Sequence, residues 1–160
     1  MWHFLRSQLE LDLPVPQVFD FFSRAENLEK ITPDNLGFEI LTPTPIEMTR
    51  DIEIDYRIKL SGLPMRWRTL ISVWQPPHEF VDEQLKGPYH SWIHRHTFAP
   101  LEGGRTLMTD YVRYKLPFTP FGEIGIFYVK PQVETIFRHR NEKIPELLGC
   151  TATQGSFESR

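Results

Sequence analysis

The chain has 160 residues, which fits one domain and leaves no room for a second. Apolar residues make up 40%, enough for a sizeable core, and 18 basic against 21 acidic side chains give a net charge of −3, which argues against a dedicated binder of nucleic acid or anionic membrane. The 12 Phe, 5 Tyr and 4 Trp must be housed somewhere, and 14 prolines punctuate the chain heavily.

Proline cannot donate to a sheet ladder, so its positions mark the joints between elements. Leu5, Ser7, Leu9 and Leu11 alternate with Arg6, Gln8, Glu10 and Asp12, which predicts a half-buried first strand ending at Pro14. Val15, Val18, Phe19 and Phe22 have the spacing of a short amphipathic helix with Pro16 in its first turn. A second short helix is predicted from Ala25 to Ile31, and a second strand from Leu36 to Thr42. Ile52, Ile54, Tyr56, Ile58 and Leu60 then share one face of a third strand, with Glu53, Asp55, Arg57 and Lys59 on the other.

Ser61-Gly62-Leu63-Pro64 turns the chain into a fourth strand whose same face carries Met65, Trp67, Thr69, Ile71 and Val73. Strands five (Phe80 to Leu85), six (Tyr89 to Phe98) and seven (Thr106 to Leu116) follow, separated by Pro76-Pro77, Gly87-Pro88 and Glu102-Gly103-Gly104. From Thr119 or Pro120 to about Leu148 the period becomes helical, with Val129, Val133, Ile136, Phe137 and Ile144 on one face and Pro131 kinking the helix or delaying its start. Thr151 to Arg160 is polar and aperiodic and reads as a frayed tail. One domain is therefore expected over residues 1–150, with a flexible tail over 151–160.

A single cysteine, Cys150, excludes an intrachain disulfide and a multi-thiolate zinc site and suits a reducing compartment. The N-terminal residues lack the pattern of an export signal, and the longest lipid-compatible run, Ile124 to Val129, is far shorter than the roughly 20 residues of a spanning helix. The expectation is a cytoplasmic protein. No nucleophile elbow, phosphate loop, dinucleotide fingerprint or HExxH motif is present.

The predicted order, β-α-α-β6-α, is an α+β fold: a seven-stranded curved antiparallel sheet, apolar on one face, wrapped around a long C-terminal helix. The sequence resembles the START-like or helix-grip superfamily, also called SRPBCC, and within it the polyketide cyclase/dehydrase group. The residues that carry this are Val18-Phe19-Asp20-Phe21-Phe22-Ser23 with Asn27-Leu28, Trp74-Gln75-Pro76-Pro77-His78-Glu79-Phe80 and Gly87-Pro88-Tyr89, followed by Trp92, His94, His96 and Phe98, then Asp110, Val112 and Tyr114, and finally Leu116-Pro117-Phe118. The resemblance implies a deep cavity between sheet and helix that takes a hydrophobic small molecule.

From residue types alone, an inner face with Tyr56, Met65, Trp67 and Met108 either packs solidly or lines a cavity. His90, His94 and His96 share one face of strand six with Trp92 and Phe98. If the Gly103-Gly104 turn pairs positions summing to 204, His94 faces Asp110, His96 faces Met108, Trp92 faces Val112 and His90 faces Tyr114. His94 with Asp110 is then either a general acid/base dyad or a buried polar pair that satisfies itself, and a one-residue slip would turn the histidines outward. His94, His96 and Asp110 could also approach one metal, but that spacing is weak evidence and no metal or other cofactor is expected.

Glu83 is a secondary candidate for the cavity wall. Arg57, Lys59, Arg66 and Arg68 read as a solvated outer face, and Gly122 and Gly125 as close packing or a flexible portal. The predicted ligand-binding set is Tyr56, Trp67, Glu83, Trp92, His94, His96, Met108, Asp110, Val112, Tyr114, Val133 and Phe137, with His94, His96 and Asp110 as the catalytic candidates. Three functions follow: binding or carrying a hydrophobic small molecule, cyclase/dehydratase-type catalysis by the His/Asp pair, or a co-chaperone-like interaction domain. Neither nucleic acid nor membrane insertion is expected, and weak homodimerisation is left open.

Overall fold

In the computed structural model, which describes residues 1–118 and 120–160, the chain opens with strand β1 (His3–Leu11), whose Leu5, Ser7, Leu9 and Leu11 are buried. Helix α1 (Val15–Phe22) puts Val15, Val18, Phe19 and Phe22 on one buried stripe, with Pro16 at a position that has no amide to satisfy. Helix α2 is a single turn, Asn27–Lys30. A 3-10 turn at Asp34–Leu36 and a two-residue strand, β2 (Glu39–Ile40), replace most of the strand predicted from Leu36 to Thr42. Gly37 ends that turn at φ +48, so the chain enters the sheet only after it.

Strands β3 (Glu53–Leu60), β4 (Leu63–Gln75), β5 (Glu79–Lys86), β6 (Ser91–Leu101) and β7 (Arg105–Lys115) form the predicted meander. The β3–β4 hairpin closes on Ser61 and Gly62 alone, both at positive φ (51 and 80), so Leu63 and Pro64 belong to β4. After a second 3-10 turn (Phe121–Gly125) comes helix α3 (Ile126–Leu148), and then strand β8 (Ala152–Ser159). The sheet runs β2-β3-β4-β5-β6-β7-β1-β8. Ile54, Tyr56 and Ile58 pair with Thr69, Trp67 and Met65 on its concave face.

The sheet has eight strands rather than seven, and the expected frayed tail is the eighth. Residues 152–159 pair antiparallel with β1, and Arg160 and Phe4 exchange backbone hydrogen bonds of 2.8 and 2.9 Å. This is an edge strand exposed along much of its length, held by its backbone, so side-chain periodicity could not announce it. Only Phe157 anchors it as a large side chain, under the Arg138 guanidinium at 4.1 Å.

The register of β6 on β7 is also corrected. Leu101 pairs with Arg105, leaving Glu102-Gly103-Gly104 as a three-residue loop with both glycines at positive φ. Paired positions therefore sum to 206, and His96 faces Asp110, His94 faces Val112, Trp92 faces Tyr114 and Phe98 faces Met108. A shift of two residues keeps every side chain on its face, so the histidines stay inside. His90 is the exception: it lies exposed before β6 begins.

Helix α3 starts at Ile126 and includes Pro131, later than the start predicted at Thr119 or Pro120; Thr119 itself lies outside the described residues. Its buried stripe is Val133, Phe137, Arg140, Asn141 and Ile144, and it ends at Gly149 with φ +64. Asn141 donates to Ser7 Oγ (2.8 Å) and Gln154 Oε1 (3.1 Å), tying the helix to β1 and β8. A Cβ on Gly122 would sit 1.7 Å from the Pro117 carbonyl oxygen, so this glycine serves close packing. Among the described residues no helix is long and apolar enough to cross a membrane.

Deleting residues 151–160 should lower stability by at least about 2 kcal/mol in urea unfolding, because a row of strand hydrogen bonds and the cover over β1 are lost. A frayed tail would cost nothing.

Candidate functional site

The polar centre of the molecule is assembled from β5, β6, β7 and α3. Asp110 on β7 is 1% exposed, among apolar residues, and takes three neighbours. His94 Nε2 donates to its Oδ1 at 2.8 Å, the Arg140 guanidinium donates to the same oxygen at 3.3 Å, and His96 Nδ1 lies 3.2 Å from it. Asp82 on β5 closes the figure: His96 Nε2 donates to its Oδ2 at 2.7 Å, and His94 Nδ1 stands 3.6 Å from that oxygen. Two imidazoles and two carboxylates thus alternate in a ring, with Arg140 attached at Asp110.

The strand geometry explains the pattern. His94 and His96 are two residues apart on one face, and their rings lean together to a centroid distance of 3.7 Å. Asp82 is opposite His94 and Asp110 opposite His96, yet each imidazole makes its shorter bond to the diagonal carboxylate. Phe80 stacks on His96 at 4.0 Å and Phe137 meets His94 edge-on at 5.2 Å, which fixes both rings. Arg140 is held over the faces of Phe22 and Phe137 at 5.5 and 5.6 Å.

Burial, added to the neighbouring His96 charge, depresses His94 to about 4, against the pull of both carboxylates, so this imidazole is neutral at pH 7. Burial also works against a charged His96, but its bonds to Asp110 and Asp82 outweigh it and hold this imidazole above the ordinary histidine value. Burial opposes ionisation of Asp110 too, but the Arg140 charge and the two histidine bonds hold it well below the usual carboxylate range. Asp82 is likewise lowered, by His94 and His96 against its burial.

This ring forms one end of a cavity of about 190 Å³ between the concave sheet and helices α2 and α3. The remaining wall is mostly apolar, with Ile54, Tyr56, Ile58, Trp67 and Trp92 from the sheet and Leu28, Phe38 and Phe137 opposite, interrupted by Arg24, Asn27, Thr32 and Thr69. Burial pushes the phenols of Tyr56 and Tyr89 upward, so both stay neutral. Leu36, Leu60 and Ile136 are shared with an outer groove lined by Lys59, Ser61, Phe127 and Tyr128, which adjoins the cavity and is its candidate mouth. There the Ser61 and Tyr128 hydroxyls are 2.7 Å apart.

Of the predicted site residues, Tyr56, Trp67, Trp92, His94, His96 and Phe137 line the cavity, and Asp110 stands behind the histidines. Met108 packs in a solid cluster with Leu9 and Phe98, while Val112, Tyr114 and Val133 pack with Leu5; none of these four reaches the cavity wall. Burial lifts the Tyr114 phenol to about 12. Glu83 is corrected: it pairs with Ile93 and Leu70 on the other face, and Asp82 takes the inward place. The signal was Phe80, an aromatic whose face must be the core face, so that Asp82 two residues on shares it. Arg140 was also missed, although it lies three residues from Phe137 and four from Ile144. On the outer face, Arg68 is fixed by Asp55 (2.8 Å from both Nε and Nη2) and Arg57 pairs with Glu39, a solvated exterior.

Residues 11–144 match the model of a family described as polyketide cyclase/dehydrase and lipid transport. The chain belongs to this family. Its structure resembles a START superfamily protein from Mycobacterium smegmatis, at 13% identity, TM-score 0.67, covering 91% of this chain and 99% of the other. It also resembles the Zhui aromatase/cyclase of Streptomyces sp. R1128, at 12% identity and TM-score 0.73, with 93% and 94% covered. An HSP90 activator from Plasmodium falciparum superposes at 14% identity and TM-score 0.64, with 94% and 99% covered. At these identities the structural likeness concerns the fold. Among curated proteins none matches.

Replacing Asp110 by Ala would strand the buried Arg140 guanidinium and two imidazole N–H groups, and should cost about 3–5 kcal/mol in denaturant unfolding. The double variant Asp110→Leu/Arg140→Met should recover much of that loss; additive losses would show the pair to be uncoupled.

Proposed function

We propose that this protein binds a small hydrophobic molecule with its apolar body among Tyr56, Trp67 and Trp92 and one hydrogen-bonding group at Asp82, His94, His96 and Arg140. The observation that carries this reading is a largely apolar wall that also holds one buried cluster of a carboxylate, two imidazoles and a guanidinium. Its volume of about 190 Å³ exceeds the roughly 150 Å³ of a protein cavity that takes up benzene, which suits a compound of one or two rings, or the end of a longer chain whose remainder lies in the mouth. Trp67 Nε1 is a buried donor in that wall without a partner among the described residues, which favours a ligand carrying an acceptor. The family description, which includes lipid transport, agrees with an apolar cargo.

The mouth supports passage of such a molecule. Phe118, Phe121, Ile124 and Phe127 are at least 75% exposed where α3 begins, and Phe127 belongs to the groove itself. An exposed apolar patch is what the co-chaperone-like reading needs; the place of Phe127 in the groove supports ligand entry instead. A second reading, cyclase/dehydratase-type catalysis, is favoured by one feature: His94 lines the cavity while Asp110 behind it orients the ring, the arrangement of a base and its positioning carboxylate.

Calorimetric titration with 2-naphthol and with naphthalene tests the proposal. Saturable one-to-one binding is expected, with the naphthol favoured by about tenfold or more because its hydroxyl meets charged partners. Ile71→Phe, which fills the cavity from β4, should weaken both while leaving the circular dichroism unchanged. Absence of saturable binding, or equal binding by the filled variant, would refute the cavity as the binding site.

A further inference from the structure

We propose that Asp82, His94 and His96 form a binding site for a divalent transition-metal ion, with zinc as the chemical type, at the polar end of the cavity. The ligand atoms are Asp82 Oδ2, His94 Nδ1 and His96 Nε2. One donor atom from each residue lies within 4.8 Å of the others, and all three residues face the cavity. Zinc ligands at about 2.0–2.1 Å in a tetrahedron stand about 3.3 Å apart. Asp82 Oδ2 is already 2.7 Å from His96 Nε2 and 3.6 Å from His94 Nδ1, so an ion asks for side-chain rotations only.

Two further features belong to a metal site rather than to a self-satisfied polar pair. The first is the outer shell. The ring nitrogens turned away from the candidate ion, His94 Nε2 and His96 Nδ1, both face Asp110 Oδ1, at 2.8 and 3.2 Å, and Arg140 holds that carboxylate in turn. A carboxylate behind each ligating imidazole is the usual means of fixing its tautomer and strengthening it as a ligand. The second is a weakly satisfied atom: among the described residues buried His96 Nδ1 makes no well-formed hydrogen bond, its nearest acceptor being Asp110 Oδ1 at 3.2 Å, while Nε2 is held by Asp82 at 2.7 Å. A cation at Nε2 displaces the proton held there, to solvent from a doubly protonated ring or to Nδ1 from a neutral one, and in both cases Nδ1–H then faces Asp110 Oδ1.

The spacing in the sequence pointed to Asp110 as third ligand; the structure moves Asp110 to the outer shell and supplies Asp82 in its place. Three protein ligands and a fourth position open to the cavity make a site of the kind that can hold a water or a ligand oxygen. The ion deepens the reading of this cavity as a small-molecule site, and rests on it for a ligand to complete the coordination.

The test uses the full chain after chelator treatment, titrated with CoCl₂ and with ZnCl₂. One Co²⁺ per chain with the visible absorption of a four-coordinate ion, displaced by Zn²⁺, is the expected result. Asp82→Asn and His94→Gln should abolish it, Asp110→Asn should weaken it by about 10–100-fold while keeping the stoichiometry, and exposed His90→Gln should leave it unchanged. Absence of saturable binding to the unaltered chain overturns the proposal by itself, even if a variant fails to fold. Binding lost in His90→Gln, or retained in folded Asp82→Asn, overturns it as well. Naphthol titration of the metal-free chain reads the cavity separately, so either result can fail without the other.

Discussion

The buried carboxylate of Asp110 is the constraint on which the centre of this fold depends. An ionised group 1% exposed is tolerated only when charge and hydrogen bonds replace the water it has lost. Those partners come from β6 and from α3, so satisfying one side chain fixes where the helix lies on the sheet and how the β6 imidazoles are turned. A second polar pin, Asn141 with Ser7 and Gln154, sets the far side of the helix against β1 and β8. Apolar contacts alone allow a helix to slide by a fraction of a turn at little cost; two directional pins on one stripe do not.

The same docking produces the cavity. Helix α3 closes on the β1, β6 and β7 side of the sheet, where Val133 and Phe137 pack against Leu5, Val112 and Tyr114. At the β3–β4 end, Trp67, Ile58 and Phe38 form a cluster to which α3 contributes no residue. The sheet curls, the helix covers only part of it, and the space between is left to aromatic walls and to the short helix α2. The cavity therefore follows from where the helix is pinned, and its polar end is the pin itself.

Much of this was legible in the sequence for a physical reason: period-two alternation is imposed by a sheet with one face buried, and this chain keeps it through five consecutive strands. Face parity survived even where register did not. Reading the Glu102-Gly103-Gly104 turn two positions short put His94 opposite Asp110, and a two-residue error preserves the face, so the bond between them existed although the alignment differed. What periodicity could not carry was anything held by backbone or by polar atoms. Strand β8 is bound through its amides, and Arg140 is a charged residue inside an apolar stripe, where a helical period assigns it to solvent. Glu83 and Asp82 show the limit of parity in a short acidic run, since only Phe80 distinguishes which of the two faces inward.

Two carboxylates, a guanidinium and an imidazole of raised basicity are expensive to keep together in an apolar interior. Replacing such groups by hydrocarbon of equal volume is often neutral or stabilising, so helix docking alone does not call for them. Their placement is more specific than docking requires. Asp110 stands behind the wall, where it serves the fold, and Arg140 reaches from it to the cavity lining. Asp82 and the inner edges of His94 and His96 face the cavity, where packing gains nothing from them. The network is thus divided at the imidazole rings, whose outer edges meet Asp110 in a structural half and whose inner edges meet Asp82 on the cavity side. The two halves meet at the ring nitrogens of His94 and His96, which face Asp82 on one side and Asp110 on the other, and Asp110 in turn holds Arg140 of α3.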